Sequence, residues 1–201
     1  ILDPELTLSC PKAATISAAI DSIVHSTEAF VALKSNSMAK IFSKQGFRIV
    51  FSSLPHLIEN LDNLKRRESV MYGAFLSAIS LMNSGTGPAA AMSYPIGVHF
   101  SVPHGIGGGI CLPSVINHNI KKGYKGYSQL LKSDNDLSFL KKLKTCFDFI
   151  GVPKSLNQYG IEKNDIEMLS KETYELSGAI VQNPVQISIQ NIKNLYDEII
   201  D

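Results

Sequence analysis

Two side chains near the start of the sequence are spaced to share a ligand. Asp21 and His25 lie four residues apart within a stretch, Lys12 to Leu33, that has neither Gly nor Pro. On a helix that spacing puts both on one face, where Ala14, Ala18, Ser22 and Ala29 leave room beside them. A carboxylate and an imidazole so placed suit a divalent first-row metal. They also suit an Asp–His hydrogen bond that neutralises two buried polar groups, the commoner use of such a pair. His104, in Pro103-His104-Gly105, sits at a rigid helix start from which an imidazole completes a site or merely caps the helix. His56, His99 and His118 have weaker claims. Gly105-Ile106-Gly107-Gly108-Gly109 has neither GxGxxG spacing nor the Gly-Lys-Ser/Thr of a P-loop. Close approach of another helix to that backbone explains it better than phosphate binding.

Helices must carry these side chains to one place. Ile16, Ile20, Ile23, Thr27 and Phe30 recur at three- and four-residue intervals, a core-facing stripe, and Pro11 has the position of a first-turn proline. A second helix is expected from Asn36 or Ser37 to Phe51, with Pro55 breaking it or starting a continuation through Leu61. A third runs from Asn63 to Met82 and is closed by the turn chemistry of Asn83 to Gly87. Small residues from Pro88 to Gly97 predict a short buried helix, and Ser101-Val102-Pro103-His104 starts another that reaches His118. Weaker helices are expected near 124–132, 136–150, 164–178 and 188–200, with a short extended piece at Leu6-Thr7-Leu8. The sequence thus predicts an all-α domain over 1–201, in one piece or divided near Gly123 into 1–122, which bears the candidate metal residues, and 123–201.

Composition narrows the function classes. Of 201 residues, 44% are hydrophobic and 18% charged, enough apolar content to fold around a core. With 19 basic against 18 acidic side chains, no global field attracts nucleic acid or an anionic membrane. Apolar runs are interrupted before the ~20 residues that a membrane-spanning helix requires. Cys10, Cys111 and Cys146 form no CxxC and no even set, which points to a reducing compartment, most simply the cytoplasm. The opening Ile1-Leu2-Asp3-Pro4 has no basic leader or cleavage signature and reads as the interior of a longer chain.

Asp21-Ser22-Ile23-Val24-His25-Ser26-Thr27-Glu28-Ala29 resembles the D-A-x-x-H-x-x-E motif of the iron-containing (group III) alcohol dehydrogenases. Val102-Pro103-His104-Gly105, followed by Leu112-Pro113 and Asn119, resembles the same family's P-H-G segment and the helix after it. The stretch from Leu2-Asp3-Pro4 to Pro11, the Gly85–Gly97 stretch and Asn183-Pro184 also fall where family members have counterparts, so the resemblance covers the whole chain. It implies the C-terminal helical half of a dehydroquinate-synthase-like fold, with the N-terminal nucleotide-binding domain absent.

By that resemblance Asp21, His25 and His104 match three of the family's four metal ligands. The remaining ligand, a histidine fourteen residues before His104, is Ala90 here, and a further histidine near the nicotinamide, ten residues before it, is Tyr94. Pro95 and Gly97 keep the register. Three protein ligands can still hold a catalytic ion. A tyrosine relays protons less readily than histidine at neutral pH but can donate a hydrogen bond to a substrate oxygen, so Tyr94 is the catalytic candidate and Ala90 and Tyr94 are the expected pocket wall.

The resemblance further implies an NAD(P)-dependent oxidoreductase that interconverts an alcohol and an aldehyde or ketone, with Fe or Zn as Lewis acid. NAD or NADP would be held mainly by the absent domain, the substrate would be a small alcohol or carbonyl compound, and a homodimer is suggested. The helical domain alone is expected to be inactive. Two alternatives stay open: a metal-independent member in which Asp21 and His25 only hydrogen-bond, and a catalytically silent helical interaction domain.

Overall fold

The computed structural model describes residues 1–200, and among these there is no strand. Ten helices follow in chain order: α1 (Lys12–Val31), α2 (Ser37–Glu59), α3 (Leu64–Ser84), α4 (Pro88–Phe100), α5 (His104–Lys121), α6 (Ser128–Leu131), α7 (Asp136–Ile150), α8 (Ile166–Glu175), α9 (Ser177–Ile180) and α10 (Ile189–Ile199). Pro11 stands just outside α1 as its N-cap residue rather than inside its first turn. Side-chain caps start several of the others: Asn36 accepts from the Ala39 amide, Asn63 from Arg66 and Asn135 from Ser138.

α1 is the central rod, in contact with α2, α3 and α5. Its predicted stripe is the buried one: Ile20, Ile23, Thr27 and Phe30 are buried and Ile16 packs partly exposed at the edge. α1, α2 and α3 approach closely through small residues. A Cβ on Gly46 would lie 2.8 Å from the Gly73 carbonyl oxygen, and one on Gly73 would lie 2.7 Å from Val50 Cγ2. Buried hydroxyls fill the seam: Ser26 meets Ser77 at 2.5 Å, and Ser80 donates to the Ala39 carbonyl.

Pro55 does not end α2. Leu54, Leu57 and Ile58 are buried around it, and at roughly 1.5–3 kcal/mol for each such side chain their burial outweighs the ~3 kcal/mol of an interior proline. The expected extended piece at Leu6-Thr7-Leu8 is instead the end of a 3₁₀ turn, Pro4–Thr7, with Leu8 as its C-cap. Asp3 accepts from the Glu5 amide at 3.0 Å and the Thr7 hydroxyl donates to the Pro4 carbonyl at 2.7 Å, local bonds that override a brief alternation. The 124–132 segment is helical only over Ser128–Leu131, because Asp136 draws the amides of Gly126 and Ser128 into a turn.

Residues after Gly123 share one hydrophobic cluster with those before it. Asn119 donates to the Tyr127 hydroxyl and exchanges amide hydrogen bonds with Asn183, all buried. The Tyr196 hydroxyl, from α10, donates to the Met92 carbonyl of α4 at 2.9 Å. From Ser69 to Ile120 the sequence has no Asp, Glu, Lys or Arg, and most of α4 and α5 is buried. No helix among the described residues is long and apolar enough to cross a membrane.

Candidate metal centre

Asp21 and His25 project from α1 toward the first turn of α5. The glycine run of α5 is what lets the two helices touch. A Cβ on Gly105 would collide with the Ser17 carbonyl oxygen of α1 and reach 3.0 Å from Asp21 Cβ. A Cβ on Gly109 would stand 2.5 Å from Ile20 Cγ2, and one on Gly108 3.3 Å from Val24. Close helix approach is therefore the use these glycines have. α5 is turned back from α4 by a three-residue link in which Ser101 adopts the left-handed conformation, φ 56°. That turn places His104, the first residue of α5, over Asp21.

Three ligand atoms converge there. His104 Nε2 is 3.5 Å from Asp21 Oδ1, and His25 Nδ1 is 3.6 Å from Asp21 Oδ2. One ligand atom from each of the three residues lies within 4.8 Å of the others, and no other such grouping occurs among the described residues. Both Asp–His separations exceed hydrogen-bond length, so neither is the Asp–His hydrogen bond that the sequence left open. The side chains are half-buried beside a cleft of about 490 Å³ that includes Ala14, Ser17 and Pro103. Burial holds the His25 imidazole below its ordinary range; the Asp21 carboxylate opposes this and His104 adds to it. A neutral imidazole with an available lone pair is the form a metal needs.

Ala90 and Tyr94 take different places. Ala90 is buried in the first turn of α4, whereas Tyr94 is 55% exposed with its ring centroid 4.8 Å from that of His104. Between them on α4, buried Ser93 meets His104 Nδ1 at 2.7 Å. The other histidines lie elsewhere: His99 pairs with Glu172 at 2.9 Å, His56 stands 3.8 Å from Glu59, and His118, depressed by burial, has no partner for its buried Nε2 among the described residues.

Glu28 has a role that its spacing concealed. Gly87, the N-cap residue of α4, has no side chain to cap the helix, and Glu28 of α1 caps it from outside. Its carboxylate accepts from the Thr86 hydroxyl at 2.8 Å and from the amides of Gly87, Ala89 and Ala90 at 2.9, 2.6 and 3.3 Å. Burial raises its pKa to about 6, although all four donors pull it down. The partners are about sixty residues away in sequence, so only the motif, and no local pattern, marked Glu28.

A family model described as "Fe-containing alcohol dehydrogenase family, C-terminal" matches residues 15–200. The chain belongs to that family. It is 24% identical, over 98% of its length, to the long-chain-alcohol dehydrogenase 1 of Geobacillus thermodenitrificans, and 24% identical to the NAD-dependent methanol dehydrogenase of Bacillus methanolicus over 97%. It covers 53% and 54% of those proteins. The solved iron-containing alcohol dehydrogenase of Thermococcus thioreducens superposes with a TM-score of 0.89 at 25% identity, over 98% of this chain and 53% of that one. The chain thus spans about half the length of the family proteins it resembles and corresponds to their C-terminal, all-helical part.

Proposed function

We propose that this chain is the metal-binding helical domain of an NAD(P)-dependent oxidoreductase that interconverts an alcohol and an aldehyde or ketone. The observation that carries the reading is the convergence of Asp21, His25 and His104 without hydrogen bonds among them. A carboxylate and two imidazoles at that spacing ask for a cation between them, and Fe²⁺ or Zn²⁺ suits the donor set. When bound, such an ion supplies Lewis-acid polarisation of a substrate oxygen. Asp21 would contribute the negative charge, and His25 and His104 would each contribute a ring-nitrogen lone pair. Ala90 offers no ligand, so the chain would supply three and leave the remaining coordination position to water or substrate.

Tyr94, exposed at the rim and resting on His104, is placed to donate its hydroxyl hydrogen to a substrate oxygen. The nicotinamide would be held by a nucleotide-binding domain facing this cleft, and hydride chemistry would belong to that cofactor. Three free cysteines agree with a reducing compartment such as the cytoplasm, and self-association as a dimer is part of the same reading. Support comes from the family match and from relatives named as NAD-dependent and long-chain-alcohol dehydrogenases.

Ala90 in place of a ligand favours one competing reading, a metal-independent family member. Elemental analysis of the full-length protein, then titration with Zn²⁺ and anaerobic Fe²⁺, separates the two. About one equivalent per chain is expected, lost in Asp21→Ala and in His104→Ala. The absence of stoichiometric binding in the unaltered protein overturns the metal reading.

A further inference from the structure

His104 is a useful ligand only if one ring nitrogen keeps its lone pair and faces the site. The ring itself has no preference strong enough to ensure this, so the tautomer is set by whatever the other nitrogen bonds. That other nitrogen, Nδ1, lies 2.7 Å from the Ser93 hydroxyl oxygen. The same hydroxyl lies 2.6 Å from the Ala90 carbonyl oxygen.

A carbonyl oxygen only accepts, and a serine hydroxyl has one hydrogen. That hydrogen goes to Ala90. The Ser93 oxygen then has only lone pairs to offer His104, so the 2.7 Å contact requires Nδ1 to carry the hydrogen. In the neutral ring Nε2 is left bare, and Nε2 is the atom 3.5 Å from Asp21 Oδ1. Two acceptors at that distance repel unless a positive charge lies between them.

We propose that Ser93 is a positioning residue that fixes the tautomer of His104 and aims its bare Nε2 into the site. The inference rests on the metal reading above for its purpose, though not for its geometry. Ser93 is 1% exposed, and Gly107 of α5 lies so close that a Cβ there would be 3.2 Å from Ser93 Cβ. The hydroxyl therefore has little freedom to turn away. Metal-binding histidines commonly donate their second N–H to a carbonyl or carboxylate; here a hydroxyl relays that bond to a backbone carbonyl. The carbonyl belongs to Ala90, whose side chain cannot ligate, so position 90 acts on the site through its main chain.

Removal of the hydroxyl frees the opposite tautomer. Nε2–H could then close on Asp21 as an ordinary hydrogen bond, a self-satisfied pair that competes with a cation. The test uses the metal-free full chain, ¹⁵N-labelled at histidine, at about pH 8, above the ordinary imidazole range. His104 should show a protonated Nδ1 and an unprotonated Nε2. Ser93→Ala should move the signals toward the Nε2–H form and weaken Zn²⁺ binding about 10–100-fold, while Ser93→Thr, which keeps the hydroxyl, restores both. An Nε2–H tautomer in the unaltered chain overturns the proposal, as does Ser93→Ala with unchanged tautomer and affinity. If Ser93→Ala fails to fold, the tautomer of the unaltered chain still decides. The expected tautomer together with no metal uptake would sink the metal reading and leave the role of Ser93 standing.

Discussion

The carboxylate of Glu28 is sealed beneath the first turn of α4, and its pKa of about 6 has a consequence for stability. Unfolded, the group loses its proton near the ordinary 4.5; folded, it keeps it to about 6. Between those pH values the folded state holds more protons, so stability falls as pH rises through that window and is level above it. At 1.36 kcal/mol per pH unit the change is about 2 kcal/mol. Glu28→Gln cannot titrate. Denaturant unfolding should therefore show the stability of wild type relative to Glu28→Gln declining by about 2 kcal/mol from below pH 4.5 to neutrality; parallel pH profiles would refute a buried titrating Glu28. Legibility at this scale followed sequence distance. Asp21 and His25 stood out by spacing and His104 by its Pro-His-Gly setting, but only the family resemblance joined the three as candidate ligands. Ser93 looked like one small residue among many, because its partners are assembled only when the link at Ser101 folds α5 back over α4.

Among the helices, the contact of α5 with α1 matters most to the site, and it is a contact with backbone. Gly105 lies against the Ser17 carbonyl with no room for a methyl group. Gly105→Ala must lift the start of α5 from α1, an overpacking that costs about 1–3 kcal/mol and also draws His104 away from Asp21. A lowered thermal midpoint together with weakened Zn²⁺ binding is expected, and full affinity in a destabilised variant would show that the site does not depend on this seat. The sequence disclosed the helices well where periodicity was long, as in α1, and poorly where local bonds or burial decide. Leu6-Thr7-Leu8 alternates for too few residues to outweigh the bonds at Asp3 and Thr7, and Pro55 could not be judged without knowing that Leu54, Leu57 and Ile58 are buried.

Among the described residues, those before and after Gly123 share one hydrophobic cluster. The all-α class was legible because helical signals are local. Whether the chain divides at Gly123 was not, since the ties that bear on it, Asn119 to Asn183 and Tyr196 to Met92, join residues far apart in sequence. A protein reduced to residues 1–122 would expose the apolar faces of α4 and α5 and leave Asn119 without its buried partners. It should show no cooperative melting transition by circular dichroism, whereas the whole chain should show a single one; a sharp transition in the shorter protein would reveal two folding units. Ligand spacing is set most directly where two main chains touch, at Gly105 and Ser17, while α7 meets α5 further along, at Gly109. Melting temperature and ion preference are therefore separate dials. Substitutions in the distal helices can raise the first without retuning the second, and a mutant library aimed at a different ion can be confined to the few positions around Ser17, Asp21, His25, Ser93 and His104.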